Sequence, residues 1–121
     1  MNNNLTQKSI TLNTWLLEDN WDLFETPEKI QKNLHVSYDL AKFLTKSIEY
    51  FMHLRKDFTG EDVFNHALNY ILSGFRDEDD ARVYLSIFQD RENLSDFLFY
   101  DAMGNTVTAS LLREVIELKW G

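Results

Sequence analysis

The longest periodic run of apolar residues in the chain extends from residue 38 to about residue 57. Apolar side chains follow one another there at steps of three and four, the period of an α-helix with one buried face. Ser37 precedes the run and is a favourable N-cap. We therefore predict a long central helix over about residues 38–57, with a buried face made by Leu40, Phe43, Leu44, Ile48, Phe51 and Leu54.

A shorter helix precedes the central one and has a recognisable start. Thr26 offers a capping hydroxyl, Pro27 suits the first turn, and Glu28 places a carboxylate near the positive end of the helix dipole. These residues predict a helix that continues to about Asn33.

Two more helices are predicted after the central one. Thr59 and Asp62 have the spacing of a capping box, with Asp in place of the usual Glu, and an apolar stripe over residues 63–72 follows. Glycine commonly follows the end of a helix, so Gly74 is expected to end this one. Residues 77–80 are four consecutive acids that open another helix, whose apolar positions are Val83, Tyr84, Ile87 and Phe88.

The N-terminal segment is polar over residues 1–10, and we expect these residues to be frayed. A helix is predicted after them, with Asn13 or Thr14 as its N-cap. Its apolar positions would be Trp15, Leu17, Trp21 and Phe24.

The C-terminal segment has two interpretations. It fits two helices broken at Gly104, or a small β-hairpin near residues 96–109 whose second strand alternates Val107, Ala109 and Leu111. We favour the hairpin, followed by a final helix over about residues 110–119.

These elements predict a mainly α fold, a single-domain bundle of about five or six helices around the central helix. The whole chain, residues 1–121, is expected to be one domain.

A hydrophobic content of 44% excludes a disordered chain, and the absence of cysteine excludes disulfides and thiolate chemistry. The longest apolar runs are far too short to cross a membrane. We expect a cytoplasmic protein with no membrane partner.

Residues 26–44, with the sequence TPEKIQKNLHVSYDLAKFL, resemble the helix-turn-helix of DNA-binding proteins. The resemblance implies packing positions at Ile30, Leu34, Val36, Leu40 and Phe43. It implies that the exposed, base-reading residues are Tyr38, Asp39, Lys42 and Lys46. Three features count against DNA binding. His35 stands where the turn often has glycine, the second helix is long enough to be a core helix, and the positive charge of residues 28–56 is small.

Charge is distributed unevenly along a chain whose net charge is −8. Residues 28–56 contain six basic and three acidic residues, a net charge of +3, which is marginal for binding DNA phosphates. Residues 57–121 contain five basic and thirteen acidic residues, a net charge of −8. This distribution disfavours nucleic acid and favours a basic partner.

Motifs for catalysis or cofactor binding are absent from the sequence. The three histidines, His35, His53 and His66, have no metal-ligand spacing, and no phosphate loop or nucleophile elbow is present. The acids at residues 77–80 point in four directions around a helix, so they cannot share one ion. We expect neither an enzyme nor a cofactor.

The sequence thus favours a small acidic protein that binds and neutralises a basic protein partner. The class that needs such a protein most is the immunity protein or antitoxin that inhibits a nuclease-type toxin, because nucleases have basic substrate clefts. The residues expected to bind the partner are Glu61, Asp62, Asp77, Glu78, Asp79, Asp80 and Tyr84. The alternatives are a DNA-binding regulator that uses residues 26–46, and an adaptor or chaperone for another basic protein. The oligomeric state and the partner's activity stay open.

Overall fold

The computed structural model describes residues 3–18, 26–55, 57–88, 98–100 and 106–121. Within these ranges the fold is mainly α, as the sequence predicts, with a small β-hairpin. The α-helices are α1 (Asn3–Leu17), α2 (Pro27–Leu34), α3 (Tyr38–Leu54), α4 (Gly60–Ile71), α5 (Glu78–Phe88) and α6 (Ala109–Trp120). A 3₁₀ turn (Leu72–Gly74) follows α4, and the hairpin strands are β1 (Leu98–Tyr100) and β2 (Thr106–Thr108).

Contacts between residues divide the chain into two compact units, residues 3–67 and residues 68–121. In the first unit, α2 packs against α3 and α1 contacts α2. In the second unit, α6 packs against α5 and contacts β2. The assignment of the whole chain to one domain remains a prediction.

Helix α3 is the predicted long helix, but it is shorter than expected. Its start is confirmed, because the Ser37 hydroxyl accepts a hydrogen bond from the amide of Leu40 at 3.1 Å. The helix ends at Leu54 rather than near residue 57, since Arg55 adopts a left-handed backbone with φ 55°. The buried face also stops earlier than predicted: Ile48 is buried, whereas Leu54 is 40% exposed.

The turn between α2 and α3 begins at a second left-handed residue. The start of α2 is confirmed, with the Thr26 hydroxyl accepting from the amide of Lys29 at 3.4 Å. His35 ends α2 with φ 56° and ψ 48°, the conformation for which glycine is usual. Lys8 of α1 supports this end of α2, because its Nζ donates to the carbonyl oxygens of Leu34 at 2.6 Å and His35 at 3.0 Å.

Helix α1 differs from the sequence-based expectation. The chain is helical from Asn3, so residues 3–10 are not frayed, and Leu12 is fully buried. The predicted caps lie inside this helix: the Thr14 hydroxyl donates to the Ile10 carbonyl, as side chains within helices do. Leu17, predicted as an apolar position, is 80% exposed. The predicted positions at Trp21 and Phe24 lie outside the described residues.

Helix α4 begins with the predicted capping box. The amide of Thr59 donates to Asp62 Oδ2 at 2.9 Å, and the amide of Asp62 donates to the Thr59 hydroxyl at 3.2 Å. Gly60, the first residue of α4, lies against α1 and donates its amide to Asn13 Oδ1 at 3.2 Å. The two helices therefore approach each other at a glycine.

The hairpin that the sequence favours is confirmed. Strands β1 and β2 pair antiparallel, with Phe99 opposite Val107. Strand β2 ends at Thr108, whose hydroxyl caps α6 by accepting from the amide of Leu111 at 3.1 Å. The predicted strand alternation through Ala109 and Leu111 is therefore wrong, since both residues belong to α6, which spans nearly the range predicted for the final helix.

Candidate protein-binding surface

The acidic start of α5 is held by hydrogen bonds to its own backbone. Asp77 precedes the helix, and its Oδ1 accepts from the amide of Asp80 at 2.9 Å. The Asp80 carboxylate accepts in turn from the amide of Arg76 at 3.1 Å. Both carboxylates thus satisfy amides at a helix start, where negative charge is favourable.

The two central acids of this cluster behave differently from each other. Glu78 forms an ion pair with Arg82 one turn later, at 3.0 Å between Oε1 and Nη2, and the two side chains are 40% and 45% exposed. An exposed pair of this kind contributes roughly 0.3–0.5 kcal/mol. Asp79 is exposed, and within the described part of the chain no hydrogen bond or ion pair involves its carboxylate. Asp79 is therefore the acid of α5 best placed to contact another molecule.

The other candidate on α5 is an aromatic residue that faces its own unit. Tyr84 is half-buried and its ring contacts Phe75 edge-on, with centroids 5.4 Å apart. Its neighbour Val83 is 61% exposed, although the apolar pattern places Val83 on the buried face. Ala81 is the fully buried position instead. Val83 follows Asp79 by four residues, so both lie on one outer face of the helix.

The remaining two candidates stand at the start of α4 in the first unit. Asp62 takes part in the capping box, and Glu61 is exposed. The seven predicted residues are therefore divided between two helix starts. Five of them, on or beside α5, lie together, and each helix start belongs to its own compact unit.

The corner formed by α2 and α3 has the packing that the helix-turn-helix resemblance implies. The five implied packing positions are buried: Ile30, Leu34, Val36, Leu40 and Phe43. Of the implied readers, Tyr38, Lys42 and Lys46 are exposed and Asp39 is half-buried. Lys42 lies 3.4 Å from the Asp39 carboxylate and 5.3 Å from the centre of the Tyr38 ring. Its charge is thus partly balanced within α3.

The sequence gives no indication of an aromatic cluster at the far end of α3. The ring of His66 in α4 stacks on Tyr50 with centroids 4.6 Å apart, and Phe51 contacts both rings edge-on. Phe51 also stacks on Phe58 at 5.3 Å. Most of these partners belong to different elements, and no local spacing signals their contact.

Neither a metal site nor a membrane-spanning helix is found in the described ranges. No three histidine, aspartate or glutamate side chains there lie close enough to hold a metal ion. None of the described helices combines the length and apolar character needed to cross a bilayer.

No protein family, curated protein or solved structure matches this chain. Its own residues are therefore the basis for any functional conclusion.

Proposed function

We propose that this protein binds and neutralises a basic protein partner, as an immunity protein or antitoxin that inhibits a nuclease-type toxin. The observation that supports the proposal is the concentration of acid from residue 57 onwards, where the chain has thirteen acidic residues and five basic ones. At the start of α5 four acids follow one another, and none of them is buried.

Charge is what would bring the two proteins together. A nuclease presents a basic cleft to the phosphates of its substrate, and an acidic protein is attracted to the same cleft. Opposite charges raise the rate of encounter and exclude wrong partners more than they raise affinity. An inhibitor must reach its toxin before the toxin reaches nucleic acid, so a fast encounter is the property that matters most.

The acids of α5 would contribute in two ways. Asp77 and Asp80 accept hydrogen bonds at the helix start, and their carboxylates also add to the attraction at long range. Asp79 is available to form a direct ion pair, and Val83 beside it offers an apolar contact. We expect loss of any of these charges to slow association, and loss of Asp79 or Val83 also to speed dissociation.

Co-expression with the product of the neighbouring reading frame tests this proposal. The expected result is that the neighbour's product degrades nucleic acid when expressed alone and stops doing so when this protein is present. An Asp79→Lys variant should lose much of this inhibition, whereas Glu49→Lys, which makes the same change of charge at an exposed position of α3, should keep it. Full nuclease activity in the presence of the wild-type protein would contradict the proposal. A basic partner that binds but has no nuclease activity would favour the adaptor or chaperone alternative.

A second candidate function, DNA binding through residues 26–46, has one specific observation in its favour. The packing positions implied by the helix-turn-helix resemblance are buried, and Tyr38, Lys42 and Lys46 are exposed on α3. The net charge of −8 opposes it. Fluorescence titration with random duplex DNA at several salt concentrations decides between the two. Tight binding that weakens with salt and is lost in Lys42→Glu/Lys46→Glu would favour the regulator and contradict the inhibitor.

A further inference from the structure

The exposed side of α3 has side chains that protein interfaces use. Tyr38, Lys42, Lys46 and Tyr50 follow one another at steps of four, and all four are exposed. Residues four apart are neighbours on a helix, so these side chains form a continuous ridge. We call these four residues the α3 ridge.

Tyr50 is the best anchor on this ridge because its position is already fixed. Its side chain is 47% exposed, yet one ring face stacks on His66 with an interplanar angle of 15°. His66 is itself held by Ser47, a buried residue whose Oγ lies 2.9 Å from His66 Nδ1. A partner that contacts Tyr50 therefore does not have to order a mobile side chain, which removes part of the usual cost of binding.

The charges of the α3 ridge nearly cancel with those beside it. Lys42 and Lys46 stand between Asp39 and Glu49, so this side of α3 has little net attraction for a polyanion. A protein surface with a few acids and an apolar residue fits it better. Two lysines and two tyrosines call for carboxylates and an apolar side chain at helical spacing.

The outer face of α5 has this complementary character. Asp79 and Val83 are four residues apart, both are exposed, and Asp79 follows two other acids, Asp77 and Glu78. Arg82 lies between Asp79 and Val83 in the sequence, and its guanidinium forms an ion pair with Glu78. The chain thus presents a helix face with two lysines and two tyrosines in one compact unit and an acidic and apolar helix face in the other.

We propose that the protein self-associates, with the α3 ridge of one copy bound to the outer face of α5 of a second copy. Lys42 and Lys46 contact the acids at the start of α5, and Tyr50 packs on Val83. Each copy has both faces, so every copy can act as either side of this contact. This inference is argued from the protein's own residues and does not depend on the proposed function. The proposed partner would use the same face of α5, so a partner and a second copy exclude each other there.

Sedimentation velocity of the pure protein over a range of concentrations tests the inference. Wild type should change from the mass of one chain to that of two or more chains as concentration rises, and the dissociation constant should rise with salt. Lys46→Glu and Asp79→Lys should each weaken association about tenfold or more, because each places like charges together. Lys32→Glu on α2 and Asp57→Lys before α4, which change charge equally at other exposed positions, should associate as wild type does.

Mixing the two interface variants gives the sharpest result. In an equimolar mixture, the carboxylate introduced by Lys46→Glu in one copy meets the ammonium introduced by Asp79→Lys in the other, and a contact between the two unchanged faces retains its native charges. Association should therefore return to near the wild-type value, which cannot happen if either substitution merely disturbs folding. A wild type that stays monomeric up to its solubility limit would overturn the inference. So would association that survives both variants, or a mixture that does not associate.

Discussion

Ser47 and His66 join α3 to α4 through a hydrogen bond between side chains 19 residues apart, with Ser47 Oγ 2.9 Å from His66 Nδ1. Ser47 is almost completely buried, so this contact satisfies a hydroxyl that has little access to water. The bond also fixes the ring that supports Tyr50.

We expect Ser47→Ala to lower the free energy of unfolding by about 1 kcal/mol, the usual net value of such a bond. His66→Ala should cost about 2 kcal/mol, since it also removes the ring contacts with Tyr50 and Phe51. The double variant should lose less than the two single losses combined, because both remove the same bond. Urea unfolding measures all three, and Ser86→Ala on the exposed side of α5 serves as a control. Losses that add fully would mean that the bond contributes nothing.

The close approach of α4 to α1 makes a second prediction. A Cβ on Gly60 would lie 2.3 Å from the carbonyl oxygen of Ser9 and 2.6 Å from the amide of Asn13, both of them backbone atoms. Where the added methyl group meets no other atom, Gly→Ala is ordinarily stabilising, by roughly 0.4–1 kcal/mol. Here we expect Gly60→Ala to destabilise by about 1–3 kcal/mol, because the helices must move apart. Thermal unfolding of Gly60→Ala checks this, with Glu61→Ala at the exposed neighbouring position as the control. An unchanged unfolding midpoint for Gly60→Ala would contradict the prediction.

Substitutions at the two left-handed residues lead to a third prediction, in which the free energy of unfolding rises rather than falls. His35 and Arg55 have φ of 56° and 55°, a region that disfavours residues with a Cβ. We expect His35→Gly and Arg55→Gly each to raise the free energy of unfolding by about 0.5–1 kcal/mol. His53→Gly, two residues before Arg55 but inside α3, should instead lower it by about 1 kcal/mol. Chemical denaturation of the three variants tests the signs, and a loss of stability at all three positions would be the contrary result.

The capping role of Asp77 can be separated from its charge. Its Oδ1 accepts from the amide of Asp80, and an Asn side chain can accept the same bond without carrying a charge. We expect Asp77→Ala to destabilise by about 1 kcal/mol and Asp77→Asn to change stability much less, as chemical denaturation would measure. Both variants should slow association with a basic partner to a similar extent. If Asp77→Asn and Asp77→Ala have different association rates, the helix cap rather than the charge matters for binding.

Helix starts that have a side-chain cap are the most predictable part of the fold. Thr26, Ser37 and Thr59 each cap the helix that their spacing predicts, because a cap is a local bond between a side chain and an amide three residues later. Helix ends are harder to predict. Arg55 ends α3 in a conformation for which the usual signal is glycine, so the sequence indicates a longer helix than the structure has.

Contacts that form only in the folded chain set the limits of prediction for the candidate surface. The acidic run at residues 77–80 indicates a surface, and its predicted position at a helix start is confirmed. The acid that remains available for a partner can be identified only in the folded helix. There the Asp80 carboxylate accepts a hydrogen bond from the amide of Arg76, and Glu78 forms an ion pair with Arg82. Val83 fits an apolar pattern by sequence, yet Ala81 occupies the buried position. Likewise, the burial of Ser9 in α1 reflects packing that a polar N-terminal sequence does not signal.

The rate of association with the proposed basic partner, measured over a series of salt concentrations, tests the central claim most directly. The product of the neighbouring reading frame, in a form without nuclease activity, is the partner to use. If acidic residues steer this protein to its target, the association rate constant falls steeply as salt rises while the dissociation rate changes little. Asp79→Lys should lower the rate at low salt and flatten its dependence on salt. An association rate that is independent of salt, or the absence of any complex, would contradict the account.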